Sequence, residues 1–571
     1  MVKLEDYPRK HRPSQKPNYE AAPPTFTQAL ALRQARHNVL TAVQGPPGTG
    51  KTTLILSLVA QQIVTQALDL MQGQPLRNRL TLLTSTNNRA VDDAVERLAK
   101  AGVHQPFLLT GGSRAKITKM LVPALQEAID KIEVAEFRGR AWLGLQNRAS
   151  SLRATLSAQP WNPVKGDEES AYQAWLASFR DHLRLFKVCR RWLWFEVLKR
   201  RTDVLESLRL FLDLYTGDQG GQAKRRLAHD YERHLGHLAL VFPVISSTLH
   251  SVRNLMPLMQ AGVLDLVIVD EAGMILCHQL CPTLVRANRA VVVGDPKQIE
   301  PIVALPTEFI DGFHEQQFKA CGLDERDIAI FSPASIESAT AFHRASGVAA
   351  ADDCGKNIFL REHFRCQKPI AEFIRELAYE GLQVLTPPAD PVWKGKHLVA
   401  FDVCGRSEDG VNRREIEAVD YIVQQLRDLG CSLASKPEND GHSDIGIITP
   451  YRKQAAAFCK HFHFVDKDFP NYRTQDIGTV HRFQGGQWKV VILSTRVSEP
   501  HDSLQFLNRR VNLLNVAVSR AQQLFVLVGN LAKLDDTFPH EPRTGRPTRT
   551  QQLVRHIQRT GVIVNWRNER Y

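Results

Sequence analysis

The chain has 571 residues, 43% of them hydrophobic, enough for two to four domains with cores of their own. No apolar run nears the roughly 20 residues that span a bilayer and the N-terminus has no signal-peptide core. Nine cysteines without a C-x-x-C pair make no disulfide framework, so a reducing cytoplasm is expected, and a net charge of +13 favours a polyanionic partner.

In chain order, residues 1–24 set Pro8, Pro13, Pro17, Pro23 and Pro24 among lysines and arginines and read as an extended lead-in. A short helix, Thr27 to Ala35, carries Gln28, 17 residues before Gly45. A side-chain amide there can donate to and accept from one edge of adenine. The apolar strand Val39 to Val43 then runs into Gly45-Pro-Pro-Gly-Thr-Gly-Lys-Thr52, followed by a helix, Leu54 to Val64. That strand, loop and helix order is what a phosphate cradle needs: glycines let backbone N–H groups close around an anion at a helix N-terminus. Gly45, Pro46, Pro47, Gly48, Thr49, Gly50, Lys51, Thr52 and Thr53 form the candidate cofactor site. Lys51 reaches for the β- and γ-phosphates of ATP and Thr52 for Mg²⁺.

The strand Arg79 to Thr84 ends in small hydroxyl and amide residues, Asn87 among them, that open a helix and suit a sugar-phosphate backbone or plain N-capping. From 113 to 238 the pattern turns helical and holds five of the eight tryptophans. Its basic clusters, Arg190-Arg191, Lys199-Arg200-Arg201 and Lys224-Arg225-Arg226, either grip nucleic acid beside aromatics or form the charged outer face of amphipathic helices. Alternation of strand and helix resumes with Leu240 to Ser246, which ends at Thr248. The strand Leu264 to Val269 delivers Asp270-Glu271, suited to hold Mg²⁺ and to polarise a water, and Ala290 to Val293 leads to Gln298, an amide able to sense the γ-phosphate. After a connector, 306–356, a second alternating block has strands at Leu398 to Val403, Asp444 to Thr449, Asp476 to Val480, Val490 to Thr495 and Leu524 to Val528, and no phosphate loop. Arg365, Gln484, Gln487 and Arg520 lie near its element ends, and a basic tail from 533 carries one helix, Thr550 to Arg559.

Taken together, the motifs resemble the superfamily 1 helicases, in particular the 5′-to-3′ branch typified by the nonsense-mediated-decay helicase and its bacterial relatives. The resemblance covers about residues 26 to 530 and is carried by Gln28, Gly45 to Thr52, Thr84 to Asp92, Asp270-Glu-Ala272, Gly294-Asp-Pro-Lys-Gln298 and Leu360-Arg-Glu-His-Phe-Arg365. It continues through Thr449-Pro-Tyr-Arg-Lys-Gln454, Thr479-Val-His-Arg-Phe-Gln-Gly-Gly-Gln487 and Leu514-Asn-Val-Ala-Val-Ser-Arg520. It implies an α/β fold with two RecA-like domains, 25–112 with 239–305 and 357–532, a helical insertion at 113–238 in the first, and ATP in the cleft between them. It further implies Lys51, Asp270, Glu271 and Gln298 as the catalytic set, Arg365 and Arg520 as arginine fingers, Phe364 stacked on adenine and Gln487 at the ribose. Asn87, Thr248, Thr449 and Thr479 would contact single-stranded DNA or RNA. The sequence departs from the family in two places: Met274 stands where a Gln is usual, and Gln487 where a Glu is usual. The family's small β-barrel has no counterpart here, so either 113–238 replaces it or a further domain or subunit supplies it. An ATP-dependent helicase and a nucleic-acid-activated ATPase that clamps or remodels nucleoprotein both fit.

Overall fold

The computed structural model describes residues 23–86, 107–157, 168–217, 220–301, 340–347, 354–434, 442–465, 476–497, 504–509, 511–536 and 547–566, with 312, 316, 317, 319–322 and 324. Seven strands form the first sheet: β1 (Leu40–Gln44), β2 (Thr81–Ser85), β3 (Leu108–Thr110), β4 (Val244–Thr248), β5 (Leu264–Val269), β6 (Ala287–Gly294) and β7 (Ile358–Phe359). They lie in the order β3-β4-β2-β5-β6-β1-β7 and every pairing is parallel. A parallel sheet is covered on both faces, so its strands read as continuous apolar runs: Leu264–Val269 is buried at all six positions.

Helix Lys51–Met71 lies on this sheet. At 21 residues it is long and apolar enough to cross a membrane, contrary to the sequence expectation. Its composition has another cause here. Leu54, Ile55, Leu58, Val59 and Ile63 join one core cluster with the sheet, while helix Phe179–Lys199 packs against the same helix from the block that follows β3. Burying each such side chain contributes about 1.5–3 kcal/mol, so the helix is apolar because two layers cover it.

Helices Val122–Val134, Gly139–Ser157, Glu168–Ala177, Phe179–Lys199, Arg201–Thr216, Gly220–His229 and Tyr231–Val241 fill the span between β3 and β4. They share the first sheet's core: Leu193, Val197, Leu208 and Leu235 belong to one cluster with Leu58 and Val244. The predicted strand start at Leu240 is instead the end of helix Tyr231–Val241, and the strand begins at Val244, after Pro243. A proline cannot donate the backbone bond that would continue the helix.

Two short strands, β8 (Glu362–His363) and β9 (Gln383–Val384), bridge to a second parallel sheet. Its strands are β10 (Leu398–Asp402), β13 (Ile445–Thr449), β14 (Ile477–Thr479), β15 (Trp488–Ser494), β16 (Ala521–Gly529) and β17 (Val562–Asn565), in the order β14-β13-β15-β16-β10-β17, while β11 (Ser407–Glu408) and β12 (Val411–Asn412) form a hairpin beside it. The two α/β units are the RecA-like pair expected. Their boundaries move. Ala341, Phe342, Ile358 and Leu360 belong to the first core, so the connector's far end and the first residues expected in the second unit return to the first unit. The tail beyond 532 is no separate segment: Leu553, Val554 and Ile557 of helix Arg549–Thr560 enter the second core, and β17 pairs with β10.

Candidate functional site

The loop after β1 turns at Gly48 and Gly50, with φ of +77° and +74°, and helix Lys51–Met71 starts at its end. The Lys51 ammonium donates to Gly45 O at 3.1 Å and faces Glu271 Oε1 at 3.5 Å. Glu271 leaves β5 in the left-handed region at φ 53°, its N–H donating to Asp270 Oδ1 at 2.9 Å. Holding a non-glycine residue there costs on the order of 1–3 kcal/mol and aims the carboxylate at the lysine. From the second unit, the Gln484 amide approaches Glu271 Oε2 at 3.5 Å. Burial pushes the Glu271 carboxyl up, but Lys51, Arg520 and the Gln484 amide outweigh it and hold it below its usual range. It is therefore ionised at neutral pH.

At the end of β6, buried Asp295 gathers both units. Its Oδ1 accepts from Gln44 Nε2 at 3.4 Å, and its Oδ2 from Gln298 Nε2 at 2.9 Å and from the Tyr379 hydroxyl. Burial raises the Asp295 pKa, and the Tyr379 and Gln298 donors oppose it. Asn515 donates to Lys297 O at 2.5 Å and to Tyr379 Oη at 2.7 Å, and Asn512 donates to Gln298 O. Gln298, the expected γ-phosphate sensor, is thus 3% exposed and tied to Asp295 in this conformation. Beside it, Ile299 and Met274 pack on the second unit's core, so the position where a Gln is usual makes an apolar contact between the units.

Residues 358–366 straddle the units in a way the sequence did not indicate. β7 extends the first sheet, and Glu362 accepts from Thr25 Oγ1 at 2.9 Å, from Thr27 N at 3.3 Å and from the Thr27 hydroxyl. His363 is fully buried: its Nδ1 bonds Pro47 O at 2.8 Å and its Nε2 accepts from Cys366 N at 2.8 Å. A carbonyl only accepts, so Nδ1 carries the proton and the ring is neutral, in keeping with a pKa lowered to about 4 by burial and by Arg365. Phe364 N donates to Gly48 O at 3.0 Å. A Cβ on Gly48 would stand 2.6 Å from Arg365 Cβ, so only glycine admits this approach. Arg365 therefore lies against the phosphate loop, and the Phe364 ring beside it is 39% exposed, available to stack on a flat ligand.

Arg520 is 2% exposed and bonds Val516 O and Gly486 O at 3.2 Å each. Burial, then Arg365, lowers its pKa to about 9, while Glu271 opposes the shift. Arg520 and Lys51 thus both bear on the Glu271 carboxylate, with Arg365 beside Arg520, an arrangement that suits added negative charge.

Other expected site residues fall elsewhere. Gln28 is buried, its Nε2 donating to Thr49 O at 2.9 Å and Gly50 O at 3.3 Å and its Oε1 accepting from Thr25 N at 3.2 Å. Its amide braces the phosphate loop, leaving no edge for adenine in this conformation. Thr449 is fully buried and takes Tyr451 N at 3.5 Å, so its hydroxyl shapes a turn. Thr248, Thr479 and Gln487 are half-buried at strand or loop ends, and Asn87 lies outside the described residues. Glu362, His363 and Tyr379 were missed: two sit inside a recognised motif, yet no periodicity marks a side chain that folds back onto a loop 300 residues earlier.

The basic clusters of the helical block are largely structural. Arg190 is 2% exposed over the Phe107 ring, with a pKa lowered to about 10 by burial. Lys199 lies over Trp142, Arg200 pairs with Glu196 at 2.9 Å, Arg201 donates to Ala135 O, and Arg226 faces Glu206 at 3.7 Å. Arg191, Lys224 and Arg225 remain outward.

The glycine-walled cradle, the lysine at its mouth and the ionised Glu271 carboxylate beside Asp270 fit a nucleoside triphosphate with a hard divalent cation. Two family profiles described as AAA domain match, one at residues 25–159 and 217–305, the other at 339–532. The chain is similar to "Helicase sen1" of Schizosaccharomyces pombe, 24% identical over 90% of this chain and 29% of that protein. It is also similar to "Probable helicase senataxin" of Homo sapiens (26%, covering 55% and 11%) and to "Regulator of nonsense transcripts 1 homolog" of Neurospora crassa (21%, covering 88% and 37%). The chain spans less than a third of the length of the first two relatives.

Proposed function

We propose, for a chain that belongs to the superfamily 1 helicases related to the nonsense-mediated-decay helicase, that it couples ATP hydrolysis to movement along single-stranded DNA or RNA, in the 5′-to-3′ direction. The observation that carries this reading is Glu271, 3.5 Å from Lys51 of the phosphate loop and 3.5 Å from Gln484 of the second unit. One carboxylate is thus read by both units. Lys51 binds the phosphates, Glu271 accepts a proton from the attacking water, and Arg365 and Arg520 stabilise charge that grows on the γ-phosphate. A divalent cation held by Thr52 and Asp270 would neutralise the phosphate oxygens. Because Asp295 accepts from Tyr379, Gln298 O from Asn512 and Lys297 O from Asn515, loss of the γ-phosphate loosens the joint between units, and that opening shifts the grip on a strand. A cytoplasmic location belongs to the same proposal, supported by nine free cysteines.

A second reading, an ATPase that clamps or remodels nucleoprotein without processive unwinding, is favoured by Met274 and Ile299. Their apolar packing on the second core resists the repeated opening that stepping requires. Strand displacement on duplexes with 5′ or 3′ overhangs, beside ATPase with and without single strands, separates the readings. Displacement from 5′ overhangs alone supports the first. Strand-stimulated ATPase without displacement supports the second, and ATPase indifferent to single strands overturns both.

A further inference from the structure

We propose that the strand-end face of the second unit carries a base-stacking site for single-stranded nucleic acid, built on Phe506 and backed by Tyr451 and Arg496. The proposal rests on the nucleic-acid reading above and names a base contact at Phe506, which lies outside the recognised motifs.

The site begins with a strained arginine. Arg496 follows β15 with φ 58°, a region L-residues rarely enter. What holds it there is the buried carboxyl group of Glu415: its Oε2 accepts from Arg496 N at 2.9 Å and lies 2.5 Å from Ser494 Oγ, and Asn412 Nδ2 donates to Glu415 Oε1 at 3.2 Å. In that conformation the guanidinium carbon sits 3.8 Å from the centre of the Tyr451 ring. Tyr451 leaves the end of β13 and meets Phe506, centroids 5.9 Å apart and planes tilted by 40°. Arg496, Tyr451 and Phe506 therefore form a column of three π-surfaces.

The column is closed at one end and open at the other. Over Arg496 lies the turn of the β11–β12 hairpin: a Cβ on Gly410 would come 3.6 Å from the Arg496 guanidinium and 3.2 Å from Lys453 Cδ. Phe506, on helix Gln505–Asn508, is 50% exposed. A lone exposed phenylalanine is ordinary. This one ends a stack whose inner member is held in a costly conformation, and it stands among cations. Arg452 and Lys453, next to Tyr451, are exposed, and among the described residues neither has an acidic partner. Arg482, after β14, is exposed on the same strand-end side, next to His481, whose ring burial and Arg452 hold neutral. The acidic Glu408 and Asp409 adjoin Gly410 at the closed end. Aromatic surface interleaved with unpaired cations is the composition that binds a single strand: bases stack, whatever their identity, and phosphates meet the charges.

The test is equilibrium binding of labelled oligothymidylate and oligouridylate across a salt series, with an abasic oligonucleotide of equal length as control. Phe506→Ala should weaken binding to base-bearing strands about tenfold and leave the slope of log affinity against log salt unchanged, because no phosphate contact is lost. Phe506→Trp should restore the affinity. On the abasic strand Phe506→Ala and the parent should bind alike. Lys453→Ala and Arg452→Ala should instead each flatten the salt slope by roughly 0.7. A loss on only one of the two base-bearing probes assigns the strand type. Equal weakening of Phe506→Ala on abasic and base-bearing strands, or no weakening at all with thermal unfolding unchanged, overturns the stacking site while leaving the helicase reading intact. If the parent binds none of the oligonucleotides, both fall.

Discussion

The helical block between β3 and β4 and the strand-end face of the second unit hold the same residue types, and the fold uses them oppositely. In the block, Arg190 is sunk over Phe107, Lys199 covers Trp142 and Arg200 answers Glu196. In the second unit, Arg520 is buried beside a carboxylate it does not bond, and Arg452 and Lys453 face outward without an acidic partner among the described residues. A guanidinium satisfied by its own fold contributes stability and little else. One buried with another cation for a neighbour is held ready for an anion.

Arg520→Ala tests that contrast hardest. It should reduce ATP turnover by about 10³-fold or more, with nucleotide affinity changed far less. Arg365→Ala should fall in the same range, and the double variant should be less than additive because both arginines act on one phosphate. Steady-state kinetics beside nucleotide titration checks this, and near-normal turnover in either single variant would break the comparison. For Arg190→Ala, in the block, the expected loss is one of stability, about 2 kcal/mol in denaturant unfolding, since a buried, ring-stacked side chain leaves a hole. Its turnover per folded molecule should stay normal.

A third test uses pH. Burial raises the Glu415 pKa to about 8, although Ser494, Arg496 and Asn412 bond the charged form. The folded state therefore holds this proton more tightly than the unfolded one, so the stability it contributes is present below about 4.5 and lost as pH rises through about 8. Between those values, unfolding midpoints of the parent should fall relative to Glu415→Gln; parallel curves would show that the carboxyl is ionised throughout. The smallest effect belongs to the block's outward cations: Arg191→Ala, Lys224→Ala and Arg225→Ala combined should change strand binding by no more than about twofold at fixed salt. A large loss there would move the nucleic-acid surface onto the block.

Much of this protein was legible before folding was considered. The phosphate loop, Asp270-Glu271 at the end of a buried strand and the strands of both units follow from local pattern, because parallel strands buried on both faces must be apolar throughout. The helical character of 113–238 was visible for the same reason. What pattern could not state was which distant segments meet. β17 pairs with β10 across most of the second unit, and residues 358–366 return to the first sheet and lay His363 on Pro47 O.

Sequence alone therefore marked the groups that could serve: a loop able to cradle phosphate, carboxylates able to hold a metal or activate water, and arginines able to meet developing charge. Tertiary structure decided which of those groups are spent on holding the fold. Gln28 and Thr449 were expected at ligands, and burial turned them into braces for a loop and a turn. Arg190 was expected at a surface and became core. The physical reason is that a polar side chain removed from water must find its partner inside the protein, and whether it is removed depends on the layer packed over it, which no local spacing records.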